Sequence, residues 1–159
     1  MKIAYLNQPE TYNSLNKVLL QELKNFIVAC NEDENVRCVA LSGRGKAFCS
    51  GQNLKEALSL GNVEEERVIQ KMVVDYYNPL VEEIAHCRKP VVSLVNGPAV
   101  GAGAMLALIC DICLATENSY FSQAFVNIGL IPDTGGTYWL PKILGRQQAN
   151  YLEKKKKKL

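Results

Sequence analysis

The stretch Asn96-Gly97-Pro98-Ala99-Val100-Gly101-Ala102-Gly103-Ala104-Met105 consists of small side chains from Gly97 to Ala104, and it follows an apolar run over 90–95. That order reads as a buried strand that turns and opens a helix. A helix starting on residues this small leaves its first N–H groups unpaired. With no bulky neighbours, a ligand oxygen can approach them closely. Downstream, Ile131-Pro132-Asp133-Thr134-Gly135-Gly136-Thr137 supplies Asp133, the one acidic residue between Asn118 and Gly145. An anion-stabilising helix start and one isolated acid or base are the parts that enolate formation requires.

The remaining sequence frames this pair. At 159 residues the chain suits a single domain with a real core. No apolar run reaches the eighteen or so residues of a membrane span. Nothing near Met1 reads as a signal peptide, so the expected location is the cytoplasm. Five of the 18 basic residues form the run Lys154 to Lys158, which leaves 13 against 16 acidic residues and gives no basic surface for nucleic acid. That run reads as a solvated tail over 153–159 behind a core domain over 1–152 that is expected to be incomplete at both ends. The six cysteines read as reduced, buried thiols, because Cys110-x-x-Cys113 has no second pair and the one histidine, His86, is distant. No metal site is expected.

Periodicity predicts strand and helix in alternation, hence α/β layering. Strands are expected over 3–6, 36–41, 90–95 and 111–115. A helix is expected to about Cys30, capped by Asn13 or Ser14, and a longer one over 63–86, broken or bent near Pro79. The segment 121–130 reads as irregular. The segment 134–144 reads as a helix capped by Asp133 or Thr134.

Three ordered motifs resemble the crotonase superfamily, the enoyl-CoA hydratase/isomerase family. They are Ala47-Phe48-Cys49-Ser50-Gly51-Gln52-Asn53-Leu54, Gly97-Pro98-Ala99-Val100-Gly101-Ala102-Gly103 and Gly129-Leu130-Ile131-Pro132-Asp133-Thr134-Gly135-Gly136-Thr137. The resemblance implies a spiral of ββα turns, and it stops near Leu152, short of the C-terminal helices with which that family builds homotrimers or hexamers. It also implies an acyl-CoA thioester as substrate, no resident cofactor and no membrane partner.

By resemblance, the backbone N–H groups of Gln52 and Ala102 form an oxyanion hole. Gly51, Asn53, Leu54, Gly101, Met105, Phe125 and Gly136 would lie around the substrate. The paired glutamates that activate water in the family's hydratases align with Met105 and Phe125, whose side chains take no protons. Met105, three residues past Ala102, is expected to look into the same pocket. Asp133 aligns with a catalytic aspartate of isomerase-like and dehalogenase-like branches, and apolar neighbours would raise its basicity. The pattern is closest to the epoxyphenylacetyl-CoA isomerase-like branch. The dehalogenase branch places a histidine and a tryptophan that His86 and Trp139 do not match.

Other readings stay open at this level. Gly101 and Gly103 also suit tight helix packing, and Asp133 also suits a helix cap. Three functions remain: an isomerase using Asp133, a hydratase of fatty-acid or aromatic-acid catabolism recruiting another acid, and a fold fragment without chemistry. Dinucleotide binding is excluded because Gly101-Ala102-Gly103-Ala104-Met105-Leu106 lacks the third glycine of its fingerprint. A serine hydrolase is excluded because Phe48 stands where the elbow before Ser50 needs glycine.

Overall fold

The computed structural model describes residues 1–53 and 65–154. A four-stranded parallel sheet is made by β1 (Lys2–Leu6), β2 (Val39–Gly43), β3 (Val91–Val95) and, after a two-residue β4 (Ala99–Val100), β5 (Ile112–Ala115). Its spatial order, β1-β2-β3-β5, follows the chain, so each strand is laid beside its predecessor. Each sheet strand is followed by a short crossing segment: β1 by Leu15, β2 by Cys49, β3 by β4, and β5 by β6 (Phe121–Ser122). These segments form a second parallel layer, pairing Leu15 with Gln52, Cys49 with Ala99, and β4 with β6. Two strands and a helix per turn, repeated in chain order, give the expected spiral.

The helices fill the space between turns. Helix α1 (Lys17–Glu32) buries Leu19, Leu20, Leu23, Ile27 and Cys30 along one face. Burying each of those leucine and isoleucine side chains contributes about 2 kcal/mol. Its cap is Asn16, whose Oδ1 accepts from the Leu19 N–H at 2.8 Å, rather than Asn13 or Ser14. Asn13 is committed elsewhere: it is buried at a φ of 56°, and its amide donates to the Arg44, Ala47 and Phe48 carbonyls. Asparagine tolerates that left-handed backbone, and here its side chain ties down the loop entering Cys49.

Strand β2 starts three residues later than expected, because Val36 closes a turn on Asp33 and Val39 pairs with β3. The bend expected near Pro79 is a change of helical register. Helix α2 (Glu65–Met72) passes into a π-helical turn, Val73–Tyr77, and then into α3 (Asn78–Ala85). Pro79 has no N–H to give the Asp75 carbonyl, and the Asn78 N–H reaches back to the Val73 carbonyl. The part of the expected helix before Glu65 lies outside the described residues.

Helix α4 (Ala102–Leu108) is buried through Ala107 and is tied to β3 by the Ser93 hydroxyl, which donates to the Ala107 carbonyl at 2.8 Å. A 3₁₀ turn, Phe125–Ile128, interrupts the segment expected to be irregular. Helices α5 (Gly136–Leu144) and α6 (Arg146–Lys154) follow. The cap of α5 is Gly135 at a φ of 73°, not Asp133 or Thr134, since two left-handed residues, Thr134 and Gly135, separate Asp133 from the helix. The boundary expected between 152 and 153 falls inside α6, and the lysines after Lys154 lie outside the described residues. All six cysteines are free. Cys30, Cys49 and Cys110 are buried as expected, but Cys113 is exposed on the edge strand β5.

Candidate active site

The turn Ser50-Gly51-Gln52 is gripped from three sides. The Ser50 N–H donates to the Tyr12 carbonyl at 2.9 Å, the Gly51 carbonyl accepts from Leu15 at 2.7 Å, and the Asn53 N–H donates to the Leu15 carbonyl at 2.9 Å. Asn96 steadies the preceding loop, its amide bonding the Gly43 N–H and the Gly45 and Ala47 carbonyls. Gly51 sits at a φ of 88°, and a Cβ there would lie 2.7 Å from the Val100 carbonyl and 3.5 Å from the Ala102 nitrogen. The turn therefore lies directly against the start of α4, an approach that only glycine permits.

At that start, Gly101 adopts a φ of 54° and its N–H goes to the Ser122 carbonyl at 2.7 Å. Gly103 lets α4 sit on Cys49, since a Cβ would come within 2.6 Å of the Cys49 oxygen and sulfur. Among the described residues, neither the Gln52 nor the Ala102 backbone N–H has an acceptor. Both residues line one cavity of ≈ 230 Å³, together with Ser50, Gly51, Gly101 and Phe125. Two unpaired N–H groups at the rim of an apolar cavity, one at a helix start, can hold a developing oxyanion. The buried Cys49 thiol beneath them is pushed up to about 12 by burial, so it stays protonated.

Asp133 walls a different cavity, ≈ 470 Å³, with Ile69, Gln70, Val73, Val74, Leu130, Ile131 and Pro132. Among the described residues, the two cavities share no lining residue. Burial raises the Asp133 carboxyl above its ordinary value, opposed by the Thr134 hydroxyl donating to Oδ1 at 2.8 Å. Thr134 holds a φ of 49°, an outlier for a β-branched side chain, and it sits immediately beside the acid.

Met105 does not look into the oxyanion cavity. It is fully buried, with its thioether accepting from the Gln123 amide at 3.6 Å and its Cγ and Sδ 3.5 Å from where a Gly136 Cβ would stand. Met105 and Gly136 are a packing pair: α4 is buried nearly all round, so the face three residues past Ala102 meets protein. Asn53 is half-buried and lines neither cavity, and Leu54 lies outside the described residues.

Sequence reasoning missed Tyr77, whose phenol donates to the Gln52 side-chain oxygen at 2.6 Å. The one signal it offered was the bend expected at Pro79. Among the described residues, no three His, Cys, Asp or Glu side chains gather as a metal site would need. No helix of the described residues is long and apolar enough to cross a membrane.

The ββα spiral thus brings two amides, one from the turn at Gln52 and one from the start of α4 at Ala102, to a single cavity. The family model for enoyl-CoA hydratase/isomerase matches residues 2–156, and the chain belongs to that family. It is 42% identical over 147 residues to the 1,2-epoxyphenylacetyl-CoA isomerase of Escherichia coli (strain K12), covering 91% of this chain and 55% of that protein. It is 34% identical over 155 residues to the crotonyl-CoA hydratase of Syntrophomonas wolfei, covering 96% of this chain and 57% of that protein. The crystal structure of enoyl-CoA hydratase from Bacillus anthracis superposes with a TM-score of 0.87 at 33% identity, covering 99% of this chain and 59% of that one. The fold is thus the crotonase fold, and the chain spans somewhat more than half the length of the relatives it matches.

Proposed function

We propose that this chain binds an acyl-CoA thioester, forms its enolate, and shifts protons and a double bond along the acyl chain with Asp133 as the single base. The observation that carries this reading is the distribution of acids. Met105 and Phe125, the positions where paired glutamates would activate water, are buried and apolar, while the half-buried Asp133 has its carboxyl held above its ordinary value by desolvation. In the step proposed, the Asp133 carboxylate takes a proton from the carbon beside the thioester. The C–H electron pair becomes the C=C bond of the enolate, the carbonyl π pair moves onto oxygen, and the Gln52 and Ala102 amides hold that oxyanion. Where the acyl chain carries a β,γ double bond, the protonated Asp133 then gives the proton to the γ carbon, the carbonyl re-forms and the double bond shifts to the α,β position. Losing one such amide donor typically costs about 3 kcal/mol of transition-state stabilisation.

Kinship to the crotonyl-CoA hydratase of S. wolfei supports a second reading, hydration through a recruited acid. That the two cavities share no lining residue among those described bears on a third, a fold that binds without reacting. Deuterium uptake beside the thioester of a saturated acyl-CoA in heavy water distinguishes them. Uptake that disappears in Asp133→Ala is the expected result. Uptake that persists in the variant removes Asp133 as base and favours the hydratase. No uptake in either folded protein leaves the third reading.

A further inference from the structure

We propose that Tyr77 is a positioning residue of the oxyanion turn, acting through the side chain of Gln52 beside the backbone bonds that Leu15 makes. The inference rests on Gln52 being an oxyanion donor. The Gln52 N–H belongs to the peptide that follows Gly51, and glycine at a φ of 88° places little restraint on that peptide's orientation. Among the described residues, three contacts supply the restraint. The Gly51 carbonyl is held by the Leu15 N–H at 2.7 Å, which fixes one edge of the peptide plane. The Asn53 N–H, held by the Leu15 carbonyl at 2.9 Å, fixes the next peptide, and the Tyr77 hydroxyl, donating to the Gln52 side-chain oxygen at 2.6 Å, holds the side chain between them. With all three in place the N–H stays turned toward the cavity it lines.

Tyr77 can do this because of where the helix changes register. It is the last residue of the π-helical turn Val73–Tyr77 and is 1% exposed. π-turns inside α-helices recur at functional sites because they re-aim a side chain without ending the helix. Here the turn reaches both halves of the site. Val73 and Val74 wall the Asp133 cavity at its start, and Tyr77 anchors the oxyanion turn at its end. One rigid segment thereby spaces the base from the anion-stabilising amide, and efficient proton abstraction depends on that spacing.

The test is Tyr77→Phe, which keeps the buried ring and removes only the hydroxyl, beside Gln52→Leu and the double variant. Thermal unfolding first establishes that each is folded. Hydrogen exchange of the Gln52 amide in the free protein then reports the turn without any substrate. The carbonyl stretch of a bound, carbon-13-labelled acyl-CoA thioester reports polarisation. The expected result is faster Gln52 amide exchange, a smaller carbonyl red shift, and kcat for deuterium uptake lowered about tenfold with KM unchanged, short of the roughly 100-fold that a 1 Å misplacement costs. The double variant should lose no more than either single one. An unchanged Gln52 amide in Tyr77→Phe, or losses that add in the double variant, would overturn the proposal. A wild-type protein that binds acyl-CoA without shifting its carbonyl stretch would overturn the oxyanion reading itself. In that case the Gln52 amide still decides whether Tyr77 positions the turn.

Discussion

The two halves of the site are built in opposite ways. The oxyanion half is made of backbone, wedged between layers where an added Cβ at Gly51 or Gly103 would strike main-chain oxygen at 2.7 or 2.5 Å. The base half is a side chain on a loop, reached through left-handed Thr134 and Gly135, with Ile131 next to it 79% exposed. Stabilising an anion with amides demands geometry that only the packed interior of the spiral can hold. Holding a base demands mainly a dry wall, and a loop against α2 and the π-turn supplies one. The first half should therefore fail through structure and the second through chemistry.

The largest effect tests the chemical half. Asp133→Asn should lower deuterium uptake about 1,000-fold, the usual contribution of a general base, with the melting temperature not reduced. A loss of folding on that substitution would break the contrast. Next comes Gly51→Ala, whose Cβ meets the Val100 carbonyl while the backbone holds a φ that alanine resists. It should cost about 100-fold in uptake, as for one lost donor, together with about 2 kcal/mol in denaturant unfolding. Gly136→Ala sharpens the comparison from the other side. Its Cβ would stand 2.7 Å from the Pro132 Cβ, and pushing that ring moves the neighbouring Asp133. About tenfold in uptake is expected, with a smaller stability loss than Gly51→Ala shows in the same titration.

The smallest effect is on pH. A carboxyl raised in the folded state binds its proton more tightly there than in the unfolded chain, so its burial costs stability above the raised value and nothing below the ordinary carboxylate range. Unfolding curves should show Asp133→Asn more stable than wild type near pH 7, with the gain vanishing below about pH 4. Deuterium uptake by the wild type should rise with pH through the same raised value, since only the carboxylate accepts a proton. Equal stability of the two proteins at every pH would mean that the acid is not held dry.

Much of this was legible in the chain. The strands beginning at Lys2 and Val91, the buried helix after Gly101 and the isolation of Asp133 follow from apolar runs and small residues, which act locally. What was not legible depends on contacts distant in sequence. Asn13 reads as a cap because its neighbours begin a helix, yet the carbonyls it bonds lie more than 30 residues away. Tyr77 reads as one more apolar position of a long helix until Pro79 shifts the register and turns its hydroxyl onto a loop 25 residues back. Met105 follows Ala102 at helical spacing, but spacing does not tell a cavity from the buried Gly136 that faces it.

The thiol beneath the oxyanion turn also gives the molecule a clock of its own. Cys49 accepts from the Gly51 N–H and is sealed by α4, so an alkylating reagent reaches it only when the turn and the helix separate. Cys113, exposed on β5, reacts without any such opening and serves as the internal reference. The ratio of the two labelling rates measures how often the anion-holding turn breathes. Anything that tightens the turn, a bound thioester included, would register as a slower clock.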